Sequence, residues 1–379
     1  MSNRGKVIIG AITLVVVTVV LTLGTLLYMF KVGANDVVNL FRVIYIVKSR
    51  YVEEVSPGTL LTGAVKGVVG SLGDPHSIYM DPKLYKEFMI ETEGSFGGVG
   101  IVLGVKDKVL TVVSPIEGTP GEKAGIKSGD QIVQIDGQDT KDMALDEAVG
   151  KIRGPEGSQV TLGIRRNQEI KDYTLTRSNI QIKTVSGKML PDGIGYIRLS
   201  MFNENTGNDF YRKYQELEKE GMKALILDLR DNPGGLLQES VKVAGKLVPK
   251  GPIVSVIQRG GQPETQYSML EAPQYPLVVL VNGGSASASE IVSGAVQDTG
   301  AGTLVGTKTF GKGSVQTIMP LGGGAAIKLT IAKYYTPNGR SINGVGIEPD
   351  VEIEAQETQE PGKDVQLDKA IEVIKGKIK

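Results

Sequence analysis

Ser285, Ser287 and Ser289, followed further along by Lys308 and Lys312, are the residues of this chain whose types and spacing best suit chemistry. The serines come after the apolar run Leu277-Val278-Val279-Leu280-Val281 and the break Asn282-Gly283-Gly284. That run has the length and β-branched content of a buried strand, and the small residues after the break read as a helix starting. A hydroxyl at a strand-to-helix turn projects from a fixed backbone, where free helix N–H groups favour negative charge, as an acyl-transfer nucleophile requires. Composition does not choose among the three serines.

The second segment, Gly306-Thr307-Lys308-Thr309-Phe310-Gly311-Lys312-Gly313-Ser314-Val315-Gln316, offers an amine. A lysine acts as a base where burial disfavours its ammonium form. Lys312, between two glycines and after Phe310, reads as more enclosed than Lys308. Gln316 lies four positions on, which keeps it on the same side in a helix or a strand. Its neutral amide can orient an amine without fixing it in the charged state.

Composition narrows the alternatives. The chain has 379 residues, enough for about two domains, no cysteine and one histidine, His76. Thiol catalysis, disulfides, thiolate metal sites and a His-rich zinc site are all excluded on those counts. His76 sits in the turn-like Gly73-Asp74-Pro75-His76-Ser77 and is read as structural. Acidic and basic residues number 42 each, so no charge excess points to nucleic acid. The 50 glycines fall mostly in short clusters, which predicts many strands and tight turns.

Residues 7–30 carry no charge. About 24 residues at about 1.5 Å each exceed the roughly 30 Å of a hydrocarbon core. With Arg4 and Lys6 before it, the segment predicts a transmembrane helix with a cytoplasmic N-terminus and an extracytoplasmic body. Val32-Gly33-Ala34 offers the second reading, a cleaved signal. Residues 36–90 read as mainly helical, with one amphipathic helix from residue 36 and another over 59–72.

Residues 91–178 change to short β-rich runs between glycines. Residues 185–354 alternate strand and helix as an α/β domain does. Strands are expected at 193–199, 224–229 and 253–257, and a helix at 209–220. The strand at 224–229 ends in Arg230-Asp231-Asn232-Pro233-Gly234-Gly235, whose glycines free backbone N–H groups to face a substrate oxygen. Two strand-end glycine loops are therefore expected to converge at one edge of the sheet.

Two resemblances follow. Gly94-Ser95-Phe96-Gly97-Gly98-Val99-Gly100-Ile101-Val102, Ser114-Pro115-Ile116, Ala124-Gly125-Ile126-Lys127-Ser128-Gly129-Asp130-Gln131-Ile132, Ile135-Asp136-Gly137 and Ala148-Val149 in succession resemble the PDZ family of bacterial proteases. That resemblance implies a module that adds a C-terminal peptide as an extra strand. Phe96, Gly97, Gly98, Val99, Gly100 and Ile101 would form its carboxylate-binding loop. Arg153 reads as a solvated turn arginine, with a bound chain end or the protease domain as its other partner.

Leu227-Asp228-Leu229-Arg230-Asp231-Asn232-Pro233-Gly234-Gly235, the Ser285 to Glu290 cluster, the Gly306 to Gln316 segment and Tyr335-Thr336-Pro337-Asn338-Gly339-Arg340 together resemble the C-terminal processing peptidases, or tail-specific proteases. The resemblance spans residues 36–354. It implies Ser287 as nucleophile, Lys312 as general base and Gln316 as its orienting partner. The oxyanion donors would be the N–H of Ala288 and of Gly234 or Gly235, with Gly234 preferred. Asp298 falls at the place of a supporting acid in some members, with a helix-surface role as the other reading. No metal or cofactor is implied.

The expected fold is multidomain α/β and β: an anchor at 1–34, a helical region at 35–90, a β-barrel-like PDZ domain at 91–178, an α/β protease core at 179–354 distantly similar to the crotonase fold, and a tail at 355–379 with a short helix over 365–374. The expected function is a membrane-anchored extracytoplasmic serine endopeptidase acting on exposed or unfolded C-terminal tails. Self-association through residues 36–72 and the tail is a further expectation. The competing functions are a catalytically inactive PDZ scaffold that binds peptides, and an acyl-thioester enzyme.

Overall fold

The computed structural model describes residues 3–31, 33–354 and 364–378. It divides into two units, residues 1–79 and 80–379.

The first unit contains helices Asn3–Phe30, Ala34–Arg50 and Pro57–Gly70. Pro57 stands at the first helical position, and the Ser56 hydroxyl before it accepts the Thr59 N–H at 3.1 Å, a cap for an otherwise orphan donor. Helix Asn3–Phe30 covers the predicted span, but several of its side chains lie outside the described residues. Those described form no unbroken apolar run of spanning length. Among the described residues, no helix is long and apolar enough to cross a membrane.

The second unit opens with helix Pro82–Glu93, which the expected pair of helices did not include. Asp81 caps it through the Leu84 N–H at 3.0 Å, and Gly94 ends it in the left-handed conformation. Beyond it, the strands Ile101–Lys106, Val109–Pro115, Gln131–Ile135, Gln159–Arg166 and Glu169–Thr176 form an antiparallel sheet in that order. Helix Leu145–Ile152 turns Ala148 and Ile152 into a core with Val99, Leu110, Ile132 and Leu162. Asp130 is buried in this body and pairs with Arg166 at 2.6 Å.

The α/β body is built on a sheet of six strands in the order Val185–Leu190, Ile194–Leu199, Ala224–Asp228, Leu277–Val281, Thr303–Gly306 and Val351–Glu352. Only the first pair is antiparallel. Side-chain alternation explains why Leu277–Val281 is apolar throughout. Leu277, Val279 and Val281 face the core shared with helices Thr206–Lys219, Leu237–Leu247 and Ala288–Asp298. Val278 and Leu280 face the other side, where Ala370 and Ile374 of helix Val365–Lys375 cover them. The tail helix is thus a structural layer of the body.

A second, antiparallel sheet includes Gly251–Gln258, Glu264–Ser268, Ser314–Pro320 and Ala326–Tyr335. Its hairpin of Ser314–Pro320 and Ala326–Tyr335 carries the segment that follows Lys312. In open α/β sheets ligands bind beyond the carboxyl ends of the parallel strands. Here two adjacent strand ends, at Asp228 and Val281, lead into the two glycine loops.

Candidate active site

The three serines of the cluster differ in what each hydroxyl bonds. Ser285 is fully buried and donates to the Leu229 carbonyl at 2.8 Å. Ser289 is fully buried and donates to the Asn232 carbonyl at 3.0 Å. Both therefore stitch the serine turn to the loop after Asp228. Ser287 alone of the three is partly exposed, and it lines a cavity of about 380 Å³.

Ser287 stands immediately before helix Ala288–Asp298 with φ 54° and ψ −111°. A non-glycine residue held there costs about 1–3 kcal/mol and persists only where its surroundings over-determine it. The surroundings are explicit. The Ser287 N–H donates to Glu290 Oε2 at 2.8 Å, and its carbonyl accepts from the Tyr334 hydroxyl at 3.0 Å.

Glu290 is fully buried and organises the second segment as well. Its carboxylate accepts the N–H groups of Gly311 at 2.7 Å and Lys312 at 2.9 Å, and the Thr309 hydroxyl at 2.6 Å. The Tyr334 hydroxyl also reaches the Lys312 carbonyl. Burial, with the Glu290 charge adding to it, pushes the Tyr334 phenol well above its ordinary value and keeps it a donor. Two buried side chains thus tie the backbone of Ser287 to the backbone of Lys312. Sequence reasoning gave Glu290 no role, although an acid three residues after a helix-capping serine was a readable signal.

Lys312 and Gln316 line the same cavity as Ser287. The helix-or-strand spacing argument does not apply to them. Lys312 precedes the strand, which begins at Ser314, and the strand register shifts between Val315 and Gln316. Gln316 is instead set by cross-strand bonds, its Nε2 donating to Ser314 Oγ at 2.9 Å and Thr330 Oγ1 at 3.1 Å. That leaves its carbonyl oxygen as an acceptor. Lys308 belongs elsewhere, paired with Glu348 at 2.7 Å.

The Pro233-Gly234-Gly235 loop lies against the serine turn. A methyl group on Gly234 would stand 2.8 Å from Ser287 Cβ and 2.9 Å from the Ala288 nitrogen, and one on Gly235 would stand 2.1 Å from the Phe202 carbonyl oxygen. Both positions exclude a side chain. The Gly234 N–H donates to Asn232 Oδ1 at 2.9 Å. Among the described residues, the N–H groups of Gly235 and Ala288 have no acceptor.

Behind this loop, Asp228 accepts from Arg230 at 2.6 Å and from the Tyr196 hydroxyl at 2.7 Å. Burial and the Asp228 charge push Tyr196 up to about 12. Arg230 also forks onto Asp364, 2.8 Å to each oxygen, at the start of the tail helix. Burial pulls the Arg230 guanidinium down, but its bonds to Asp228 and Asp364 prevail and raise it.

Comparison with known proteins decides the family. Residues 193–353 match Peptidase family S41, residues 111–166 match the PDZ domain, and residues 31–84 match the activating protease CtpB N-terminal domain. The carboxy-terminal-processing protease of Bartonella bacilliformis is 42% identical over 320 residues, covering 81% of this chain and 73% of that protein. The chain belongs to the carboxy-terminal processing peptidases. The carboxy-terminal processing protease CtpB of Bacillus subtilis is 39% identical over 315 residues, covering 81% of this chain and 66% of that protein. A solved relative, the photosystem II D1 C-terminal processing protease, is 32% identical, covers 83% of this chain and 86% of its own, and has a TM-score of 0.49.

The remaining candidates of this peptidase fall in three places. In the glycine-rich loop, Val99 is buried in the PDZ core, while Phe96 is half-buried. The Arg153 guanidinium stacks 4.3 Å over the Phe96 ring, which corrects its reading as a solvated turn residue. The carbonyls of Gly97, Val99 and Gly100 accept from Gly154, Gly121 and Ile116. Strand Ile101–Lys106 is an edge, paired only with Val109–Pro115, and helix Leu145–Ile152 packs near it. Asp298 pairs with Arg340 and accepts the Asn338 N–H at 2.9 Å, bracing the turn at 335–340. His76 lies in a turn where Asp74 accepts its N–H at 3.0 Å.

Proposed function

We propose that this peptidase is an endopeptidase whose nucleophile is Ser287 and whose general base is Lys312. The observation that carries the reading is that Ser287 is the one serine of its cluster open to the cavity that Lys312 and Gln316 also line. Lys312 Nζ takes the hydroxyl proton as Ser287 Oγ attacks the scissile carbonyl carbon. The N–H groups of Ala288 and Gly235 receive the developing oxyanion, and the first of these sits at a helix N-terminus, where negative charge is favoured. The intermediate collapses with cleavage of the C–N bond, and the lysine returns the proton to the leaving amine. Water then attacks the acyl-enzyme, its proton passing to Lys312, and the serine is released with the new carboxylate. Gln316, held through its amide nitrogen, keeps its carbonyl oxygen as an acceptor for the lysine.

The PDZ domain captures the C-terminal tail of a protein substrate as an added strand on the open edge Ile101–Lys106. The anchor belongs to the same reading: the uncharged residues 7–30, preceded by Arg4 and Lys6, hold the body on the extracytoplasmic face of a membrane. Retention of the full chain in membranes after carbonate extraction, and its release on removal of residues 1–30, checks this part.

Incubation of the protein with an unfolded substrate tests the chemistry. Cleavage should disappear in Ser287→Ala and in Lys312→Ala, and cleavage that survives both changes would overturn the assignment.

A further inference from the structure

Lys328 lines the same cavity as Ser287, Lys312 and Gln316, and the chemistry above gives it no task. Its place is set by the hairpin. Gln316 pairs with Thr330, and Ile318 pairs with Lys328 two residues along each strand. With period-two alternation the two pairs share a face, about 7 Å apart. An extended peptide advances by the same two residues over that distance.

The surroundings of the ammonium group are apolar. The Phe88 ring lies 5.0 Å from Lys328 Nζ, and Leu236, Leu237, Ile291, Val315 and Ile318 are among the other walls. Among the described residues, the Lys328 ammonium has no hydrogen bond and no ion pair. The one carboxylate lining the cavity, Glu91, is exposed and forms no ion pair with it. Burial pulls the Lys328 amine down, against the opposing pull of the Glu91 charge. A half-buried cation beside apolar walls interacts strongly with any anion that enters and is costly to leave unmatched.

Resting on the peptidase reading, we propose that Lys328 is an anion-binding subsite that selects substrates carrying a carboxylate within about two residues of the scissile bond. The carboxylate has two sources, an acidic side chain or the free end of the substrate chain. The aliphatic walls hold the stem of the bound residue while the ammonium meets its oxygen atoms. Lys328 acts on selectivity here, not on bond making.

The test uses two sets of peptides with the full chain. One set carries Glu or Gln at each position within two residues of the cut; the other ends there as an acid or an amide. The protein should favour the carboxylate member of a pair in kcat/KM. Lys328→Met should lower that ratio on the order of tenfold or more, Lys328→Arg should retain it, and Lys328→Glu should invert it. A Glu-over-Gln response assigns the side chain, and an acid-over-amide response alone assigns the chain end; either supports the subsite. The ratio also separates Lys328 from PDZ capture, which is common to all variants.

Equal ratios in the unmodified protein and a folded Lys328→Met overturn the proposal. If Lys328→Met does not fold, Lys328→Gln takes its place with the same criterion. Binding of the same peptides to Ser287→Ala, read by fluorescence anisotropy, keeps the two ideas apart. Should no peptide be hydrolysed, or should hydrolysis survive Ser287→Ala, the peptidase assignment falls. The proposal about Lys328 then stands or falls on whether Ser287→Ala binds acid and amide peptides differently, and whether adding Lys328→Met removes that difference.

Discussion

Ser287 and Lys312 hang from one oxygen: Oε2 of Glu290 accepts the N–H of the first at 2.8 Å and of the second at 2.9 Å. The strained turn of the proposed nucleophile and the loop of the proposed base are therefore positioned by the same buried carboxylate. Glu290→Gln keeps the shape but replaces an acceptor-only group by one that presents N–H to N–H. We expect a loss of about 2–3 kcal/mol in stability from the weakened charge-assisted bonds. We also expect kcat to fall more than KM rises, because geometry at the reacting atoms is lost while the cavity walls remain. Denaturant melts beside steady-state kinetics check both; a normal kcat would remove Glu290 from the positioning apparatus.

Tyr334 ties the same two residues from the carbonyl side. Tyr334→Phe keeps the ring and deletes the donor, leaving a carbonyl short of a partner. The expected cost is about 1–2 kcal/mol of stability with a lowered kcat. A folded, equally stable and fully active Tyr334→Phe would show that the Glu290 carboxylate suffices alone.

The three serines should behave differently. Ser287→Ala should lose turnover and keep its stability within about 0.5 kcal/mol, being partly exposed. Ser285→Ala and Ser289→Ala should each cost about 1 kcal/mol, since each removes a buried hydrogen bond to a carbonyl that keeps one backbone donor, and should keep measurable turnover. Loss of turnover in a stable Ser285→Ala or Ser289→Ala, with Ser287→Ala active, would reverse the assignment.

Acid should loosen the tail helix first. The side-chain bond from Arg230 holds the Asp364 carboxyl below its usual range, with burial opposing. A carboxylate with a depressed pKa contributes its full stabilisation above its unfolded value, about 3.9, and loses it as pH falls through the lower folded value. Arg230 stays charged throughout. Protection of the Val365–Lys375 amides, taken relative to their intrinsic exchange rate at each pH, should therefore fall as pH drops below about 4, and Asp364→Asn should lower it already at neutral pH. Protection independent of pH in both proteins would show that Ala370 and Ile374 hold the helix without the ion pair.

Much of this was legible because it is local. The apolar Leu277–Val281, the break after it and the glycine pair after Asp228 announce strand ends and turns from residue types alone. The choice among the serines was not legible locally. It depends on the carbonyls of Leu229 and Asn232, more than fifty positions away in the chain. The bond from Gly234 to Asn232 Oδ1 is likewise a side-chain choice made by the folded loop. Lys312 and Gln316 line one cavity from either side of a register shift, which a periodic pattern cannot express. Glu290 was readable as a helix-capping acid, but its reach to Gly311 and Lys312 belongs to the tertiary fold.

Covalent labelling with a serine-directed fluorophosphonate, followed by peptide mass spectrometry, reads whether Lys312 makes Ser287 nucleophilic. A single adduct is expected on Ser287 in the unmodified protein, and its loss in a folded Lys312→Ala. An adduct on Ser285 or Ser289, or undiminished labelling of Ser287 without Lys312, would contradict it.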